Sequence, residues 1–133
     1  MGFFIFLFVC NMLVPLVMVG IGSWLAGHPP KTINGVYGYR TSRSMKSQEA
    51  WIFANSYCGT LWKKIGIYMT VLTIIPSILS WWMGENGQAL VSGGLVTLQC
   101  IALIASIYPV EKALKENFDS MGKPIDRDSG EEP

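Results

Sequence analysis

The chain has 133 residues, of which 50% are hydrophobic and only 14% are charged, and its formal net charge is +1. The charged residues are spread too unevenly for an ordinary soluble domain, and a net charge near zero gives no indication of direct nucleic-acid binding. We therefore expect neither a soluble enzyme nor a nucleic-acid-binding protein.

Three long stretches contain no charged residue, at positions 1–30, 65–84 and 86–110. A hydrocarbon core about 30 Å thick is crossed by roughly 20 apolar residues in a helix, and each stretch reaches that length. The alternative is that the three stretches are core helices of a soluble domain. Such a domain would need polar helix faces to cover three apolar helices, and a chain of this length has few. We predict an all-α membrane protein with transmembrane helices at 3–27, 65–84 and 89–110.

Basic residues are concentrated between the first two predicted spans. Positions 28–64 contain six Lys or Arg residues against one Glu, whereas the turn at 85–88 contains no basic residue. Because basic loops stay on the cytoplasmic side, we predict a cell-membrane protein with its N-terminus outside and its C-terminus in the cytoplasm. The first span begins without the basic residues of a signal peptide, so we expect it to be retained.

The loop at 28–64 begins with an irregular segment. Pro29-Pro30 ends the first helix, and Asn34-Gly35 indicates a turn. Thr41 or Ser44 is expected to cap the helix that follows, because a hydroxyl group can accept a hydrogen bond from a free N–H group of the first helical turn.

An amphipathic stripe follows this segment. Its apolar residues recur at three- and four-residue spacing, which is typical of one helix face. The stripe contains Trp51, Ala54, Cys58, Leu61, Trp62 and Ile65. We predict an interfacial helix on the cytoplasmic membrane surface that bends near Gly59 or Gly66 into the second span.

The same loop carries a string of residues that resembles a known family signature. The chain reads NGVYGYRTSRSMK over positions 34–46, followed by Trp51 and by Ala54-Asn55. This string resembles the signature of the SdpI family, which has the form N-x-x-x-G-Y-R-T-x-x-S-M-K with a downstream W and then A-N. The resemblance implies a multi-pass membrane protein that protects a bacterium from its own sporulation-delaying toxin and holds a transcriptional repressor at the membrane.

Basic and hydroxyl side chains cluster within this motif. The candidate binding residues are Arg40, Thr41, Ser44 and Lys46. At a helix start, free N–H groups and the helix dipole favour an anion such as a phosphate. The alternative is attachment to anionic lipid headgroups, worth about 1 kcal/mol for each basic residue near the surface. The other motif residues are predicted to fix the fold of the loop, and these are Asn34, Gly38, Tyr39, Met45, Trp51 and Asn55.

The sequence contains no pattern typical of a catalytic or metal site. The single histidine, His28, has no ligand or base partner nearby, and Cys10, Cys58 and Cys100 form no C-x-x-C pair. No charged residue lies deep inside the predicted spans, which argues against an ion pump or proton-coupled transporter. We therefore expect no cofactor, no metal and no catalytic residue.

Polar and small residues inside the spans are predicted to mediate contacts between helices. Asn11, Thr73 and Gln99 are among those expected to hydrogen-bond between helices, and the small residues also suggest a homo-oligomer. The 1–110 membrane domain should be followed by a charged cytoplasmic tail at 111–133, which begins as a helix and loses order toward its end.

Three hypotheses of function remain open. The first is toxin immunity or envelope-stress protection, by binding a toxin peptide or a cytoplasmic regulator. The second is binding of a membrane lipid or phosphate, including a lipid-phosphate enzyme for which no acid–base pair is evident. The third is a structural subunit of a larger membrane complex.

Overall fold

The computed structural model describes residues 1–125, and this part of the chain contains four α-helices. They are α1 (Gly2–Gly27), α2 (Gln48–Ser80), α3 (Gly84–Ala105) and α4 (Ile107–Asn117), with a 3₁₀ turn at Trp81–Met83 between α2 and α3. The all-α prediction is confirmed. The loss of order predicted for the end of the tail, at positions 126–133, falls outside the described residues.

Two stretches of the chain, Gly2–Gly27 and Gln48–Asn117, are long and apolar enough to cross a membrane. In each stretch, only 17% of the 18-residue window with the highest hydropathy is buried inside the protein. The core helix of a soluble domain would be mostly buried. The second stretch is 70 residues long and includes α2, α3 and α4. It is long enough for two passes at about 20 residues each.

Helices α1 and α2 run antiparallel and approach each other closely at glycines. A Cβ atom on Gly22 would lie 2.6 Å from the backbone nitrogen of Lys63, and one on Gly59 would lie 2.5 Å from that of Ala26. Glycine is required at both positions because the facing atoms belong to the backbone. This contact fixes how α2 crosses α1 and so positions the loop that joins them.

The structure shows no break between the predicted interfacial helix and the second span, because α2 continues from Gln48 to Ser80. Gly59 and Gly66 lie against α1, and a Cβ atom on Gly66 would lie 2.7 Å from the Val19 side chain. These glycines therefore allow close packing of the two helices. The amphipathic stripe itself is confirmed, since Trp51, Ala54 and Cys58 are buried and Leu61, Trp62 and Ile65 are half-buried.

The predicted cap of this helix is wrong. Ser47 is the N-cap residue, and its hydroxyl oxygen accepts a hydrogen bond of 3.0 Å from the Ala50 N–H group. Thr41 and Ser44 lie earlier in the chain and form a separate turn. A hydroxyl caps a helix from the position just before its first turn, and the helix begins later than the sequence pattern indicated.

Helices α2 and α3 form an antiparallel hairpin. The predicted turn at 85–88 belongs to the first helical turn of α3, and the chain reverses one residue earlier, at Gly84, whose φ is +73°. Gln88 Nε2 donates to the Trp81 carbonyl oxygen at 3.4 Å near this reversal, and Trp62 Nε1 donates to Ser106 Oγ at 3.0 Å near the opposite end.

A buried polar cluster joins the three long helices. Gln99 Nε2 donates to the Asn11 carbonyl oxygen at 2.9 Å and to Thr73 Oγ1 at 3.1 Å, and Asn11 Nδ2 donates to Ser92 Oγ at 2.8 Å. The predicted interhelical role of Asn11, Thr73 and Gln99 is confirmed. Because the surrounding side chains are apolar, these bonds favour one register of the helices.

Helix α4 packs against the start of α2. Val110 and Leu114 join Ala50, Ala54 and Cys58 in one buried apolar cluster. The sequence-based boundary at residue 110 therefore falls inside a packed helix, and the first part of the predicted tail forms part of the same folded unit.

Candidate functional site

The motif loop between α1 and α2 begins with a turn built by Asn34. Its side-chain oxygen accepts hydrogen bonds of 2.9 Å from the N–H groups of both Val36 and Tyr37, and its Nδ2 donates to the Thr32 carbonyl oxygen at 3.1 Å. An asparagine side chain that bonds to the following backbone in this way sets a local turn. The Asn34 side chain therefore holds the first turn of the loop through these three hydrogen bonds.

Asn55 attaches the centre of the loop to α2. Its Oδ1 accepts a hydrogen bond of 2.6 Å from the Tyr39 N–H group, and its Nδ2 donates to the Trp51 carbonyl oxygen at 2.9 Å. Gly38 has a φ of +103°, and a Cβ atom there would lie 2.5 Å from Asn55 Oδ1. Glycine is thus required at this position both by its backbone conformation and by the space available.

Trp51 holds the beginning of the same loop. Its side chain is fully buried, and its Nε1 donates to the Pro30 carbonyl oxygen at 2.8 Å. Trp51 and Asn55, which lie one helical turn apart, therefore fix two separate points of the loop. Met45, predicted to be structural, is exposed, and its backbone N–H group donates to the Thr41 carbonyl oxygen at 3.1 Å.

The hydroxyl groups of Thr41 and Ser44 close a tight turn. Thr41 N–H donates to Ser44 Oγ at 2.8 Å, and Ser44 N–H donates to Thr41 Oγ1 at 3.2 Å. Ser44 Oγ is also 2.9 Å from the Thr41 carbonyl oxygen, to which it can donate. Ser44 is fully buried, so its hydroxyl group stabilises the turn and is not presented to a ligand.

The two basic candidate residues point to different places. The Arg40 guanidinium donates to the Gly35 carbonyl oxygen and lines an apolar groove. Lys46 Nζ donates to the Ser120 carbonyl oxygen at 2.8 Å and lines a smaller crevice of about 270 Å³ with Arg43. The four candidate binding residues therefore do not share one site, although Arg40 and Thr41 line the same groove.

The groove has a volume of about 620 Å³ and lies between α1, the motif loop, α2 and the junction of α3 with α4. Its apolar wall includes Ile21, Trp24, Leu25, Val36, Leu103 and Ile107. Its volume lies within the range of about 300 to 1,000 Å³ that is usual for small-molecule sites. The groove is thus large enough for a ligand, and five consecutive motif residues, at positions 37–41, line it.

Comparison with known proteins identifies the family. The model of the SdpI/YfhL protein family matches residues 31–110, which include the whole motif at positions 34–46. The chain belongs to this family. A curated relative, "Uncharacterized protein YfhL" of Bacillus subtilis (strain 168), is 34% identical over 110 residues, which cover 80% of this chain and 86% of the relative. No solved structure matches the chain.

The SdpI/YfhL region ends at residue 110, immediately before a residue that the sequence analysis did not select. Glu111 Oε1 accepts a hydrogen bond of 2.6 Å from the Tyr39 hydroxyl group, and Glu111 Oε2 lies 3.6 Å from Arg43 Nε. Nothing in the local sequence indicates this contact, because Tyr39 and Glu111 are separated by 72 positions. Glu111 connects the motif loop to α4.

The Tyr39–Glu111 contact depends on a protonated phenol. Burial raises the pKa of Tyr39 above its ordinary value of 10, and the hydrogen bond to Glu111 raises it further. Tyr39 therefore remains a hydrogen-bond donor at neutral pH. Within the SdpI/YfhL motif, Tyr39 has a structural role through its backbone, its hydroxyl group and its position beside the groove.

Proposed function

We propose that this membrane protein crosses the cell membrane three times and protects the cell from a membrane-active peptide toxin by binding. The observation that carries the proposal is the SdpI/YfhL family match over residues 31–110, which contains the motif at positions 34–46.

Binding is favoured over catalysis by the hydrogen bonds of the motif. Ser44 is buried and bonds to the backbone of its own turn, and the Thr41 hydroxyl oxygen accepts a hydrogen bond from that turn. A serine or threonine nucleophile requires a general base within hydrogen-bond reach. Ser44 Oγ bonds to backbone groups in these contacts, and the ionisable side chain beside Thr41 is the Tyr39 phenol, which stays protonated at neutral pH and cannot act as a base. These two hydroxyl groups stabilise the turn of the loop.

The proposed protection is tested by expressing the full chain in a bacterium sensitive to the sporulation-delaying toxin. We expect cells that accumulate the protein in their membrane to survive a toxin dose that kills cells carrying an empty vector. Survival counts after exposure to purified toxin provide the measurement. Equal killing of both strains, with the protein verified in the membrane fraction, would contradict a role in immunity to this toxin.

The proposed orientation places the motif loop in the cytoplasm and the reversal between α2 and α3 outside. Ser42 and Asn86 are both exposed and lie beyond opposite ends of α2, whose 33 residues extend over about 50 Å at 1.5 Å per residue. In a chain whose own cysteines are replaced by serine, Ser42→Cys should react with a membrane-impermeant thiol reagent only after cell lysis. Asn86→Cys should react in intact cells. Reaction of both in intact cells would refute this topology.

A further inference from the structure

The groove beside the motif loop combines apolar walls with one cationic group. Ile21 and Trp24 of α1 remain exposed along its side, with 45% and 59% of their surface accessible. Leu103 and Ile107, from the junction of α3 with α4, line it from another side. Arg40 supplies the positive charge, so the groove suits an amphiphile with an apolar chain and an anionic head.

Arg40 has hydrogen-bonding capacity left for such a head. A guanidinium group has five N–H donors, and the contact of Arg40 with the Gly35 carbonyl oxygen uses NH1 alone. Among the described residues, no carboxylate forms an ion pair with Arg40, whereas the neighbouring Arg43 lies 3.6 Å from Glu111. Arg40 is therefore the motif arginine able to bind a phosphate through its planar fork.

Two polar side chains on the wall away from Arg40 are already hydrogen-bonded. Trp62 Nε1 donates to Ser106 Oγ at 3.0 Å, and Ser106 Oγ donates to the Leu103 carbonyl oxygen at 2.6 Å. A peptide would bring its backbone N–H and carbonyl groups into this groove, where each needs a partner. An acyl chain has no such requirement, so the lining favours a lipid over a peptide.

We propose that the groove binds one anionic glycerophospholipid of the inner leaflet, with an acyl chain along the apolar walls and its phosphate at Arg40. The inner leaflet follows from the proposed orientation, in which the loop and its four basic residues face the cytoplasm. The lipid site goes beyond toxin protection, and lipid binding can be measured without any toxin. An experiment can therefore contradict the lipid site without contradicting toxin protection, and the reverse also holds.

Native mass spectrometry of the full chain in nanodiscs tests this site. With phosphatidylglycerol and phosphatidylcholine in equal amounts, we expect one retained phosphatidylglycerol per chain. Arg40→Gln should lower its retention at least about tenfold, which corresponds to about 1.4 kcal/mol, because the charge-assisted hydrogen bond to the phosphate is lost. Lys31→Gln removes the same charge from an exposed loop position outside the groove and should retain the lipid.

A second variant tests the apolar part of the site independently of Arg40. Ile21→Trp should fill the groove from its exposed side and lower retention while Arg40 remains in place. Soluble glycerol 3-phosphate should not displace the lipid, whereas displacement would indicate a phosphate site without an acyl chain.

The proposal is overturned by equal retention of the two lipids, by unchanged retention in Ile21→Trp, or by equal losses in Lys31→Gln and Arg40→Gln. A co-purified peptide in the groove would also overturn it.

Discussion

Gly59→Ala is expected to weaken the packing of α1 on α2 by about 1 to 3 kcal/mol, which is typical of overpacking in a tightly packed contact. The added Cβ atom would lie 2.5 Å from the backbone nitrogen of Ala26 and 2.7 Å from the Gly22 carbonyl oxygen. Backbone atoms cannot move aside as a flexible side chain can, so the two helices must separate. The motif loop joins these helices and should lose order with them.

Gly93→Ala provides a matched control for this substitution. Gly93 also lies inside a long helix, α3, but a Cβ atom there would have no neighbour within 4 Å. Alanine favours a helix over glycine by about 0.5 to 1 kcal/mol, so this variant should be as stable as the wild type or more stable. Thermal unfolding in mild detergent, followed by circular dichroism, compares the two. Equal unfolding midpoints for Gly59→Ala and Gly93→Ala would show that the close crossing does not limit stability.

The apolar stretches and the motif could be read directly from the sequence. Long runs without charge predict transmembrane helices. Inside a membrane the backbone N–H and carbonyl groups must form hydrogen bonds within their own segment, and a helix provides them. The family signature was equally local, since its residues lie within one loop and the following helix turns. The stripe from Trp51 to Ile65 likewise predicted one apolar helix face, because that periodicity comes from the helix itself, although the face was expected on the membrane surface and instead packs inside the protein.

The role of individual glycines could not be read from the sequence. Gly59 and Gly66 were predicted to mark a bend, and each instead meets α1 at close range. A glycine in a helix is compatible both with a kink and with a close crossing. The difference depends on which residues of another helix lie opposite, and local sequence does not contain that information.

The candidate binding site was only partly predicted, for a similar reason. Arg40 and Lys46 are six positions apart, and their proximity in the sequence suggested one anion site. In the structure Lys46 bonds to Ser120 of the segment after α4, while Arg40 lines the groove beside α1. Glu111 was missed because its partners, Tyr39 and Arg43, are brought to it by the packing of α4 on α2.

Arg40→Lys is expected to abolish the proposed protective activity while the protein still accumulates in the membrane. The Arg40 guanidinium bonds to the Gly35 carbonyl oxygen and also lines the groove, so one planar group shapes the loop and remains available to a ligand. Lysine keeps the positive charge but presents a single ammonium group, which cannot reproduce the fixed arrangement of donors. If Arg40 supplied only attraction to anionic lipids, lysine would be an adequate replacement.

Arg43→Lys is the matched control, because it makes the same chemical change three positions away. The Arg43 side chain is 47% exposed, and its contact with Glu111 is 3.6 Å long. An exposed ion pair contributes only about 0 to 1 kcal/mol, and lysine can replace arginine in it, so this variant should protect like the wild type. Survival under toxin is measured at matched expression for both variants. Full protection by both would show that protection needs only the positive charge at position 40, and Arg40 would then no longer be a candidate for a specific binding residue.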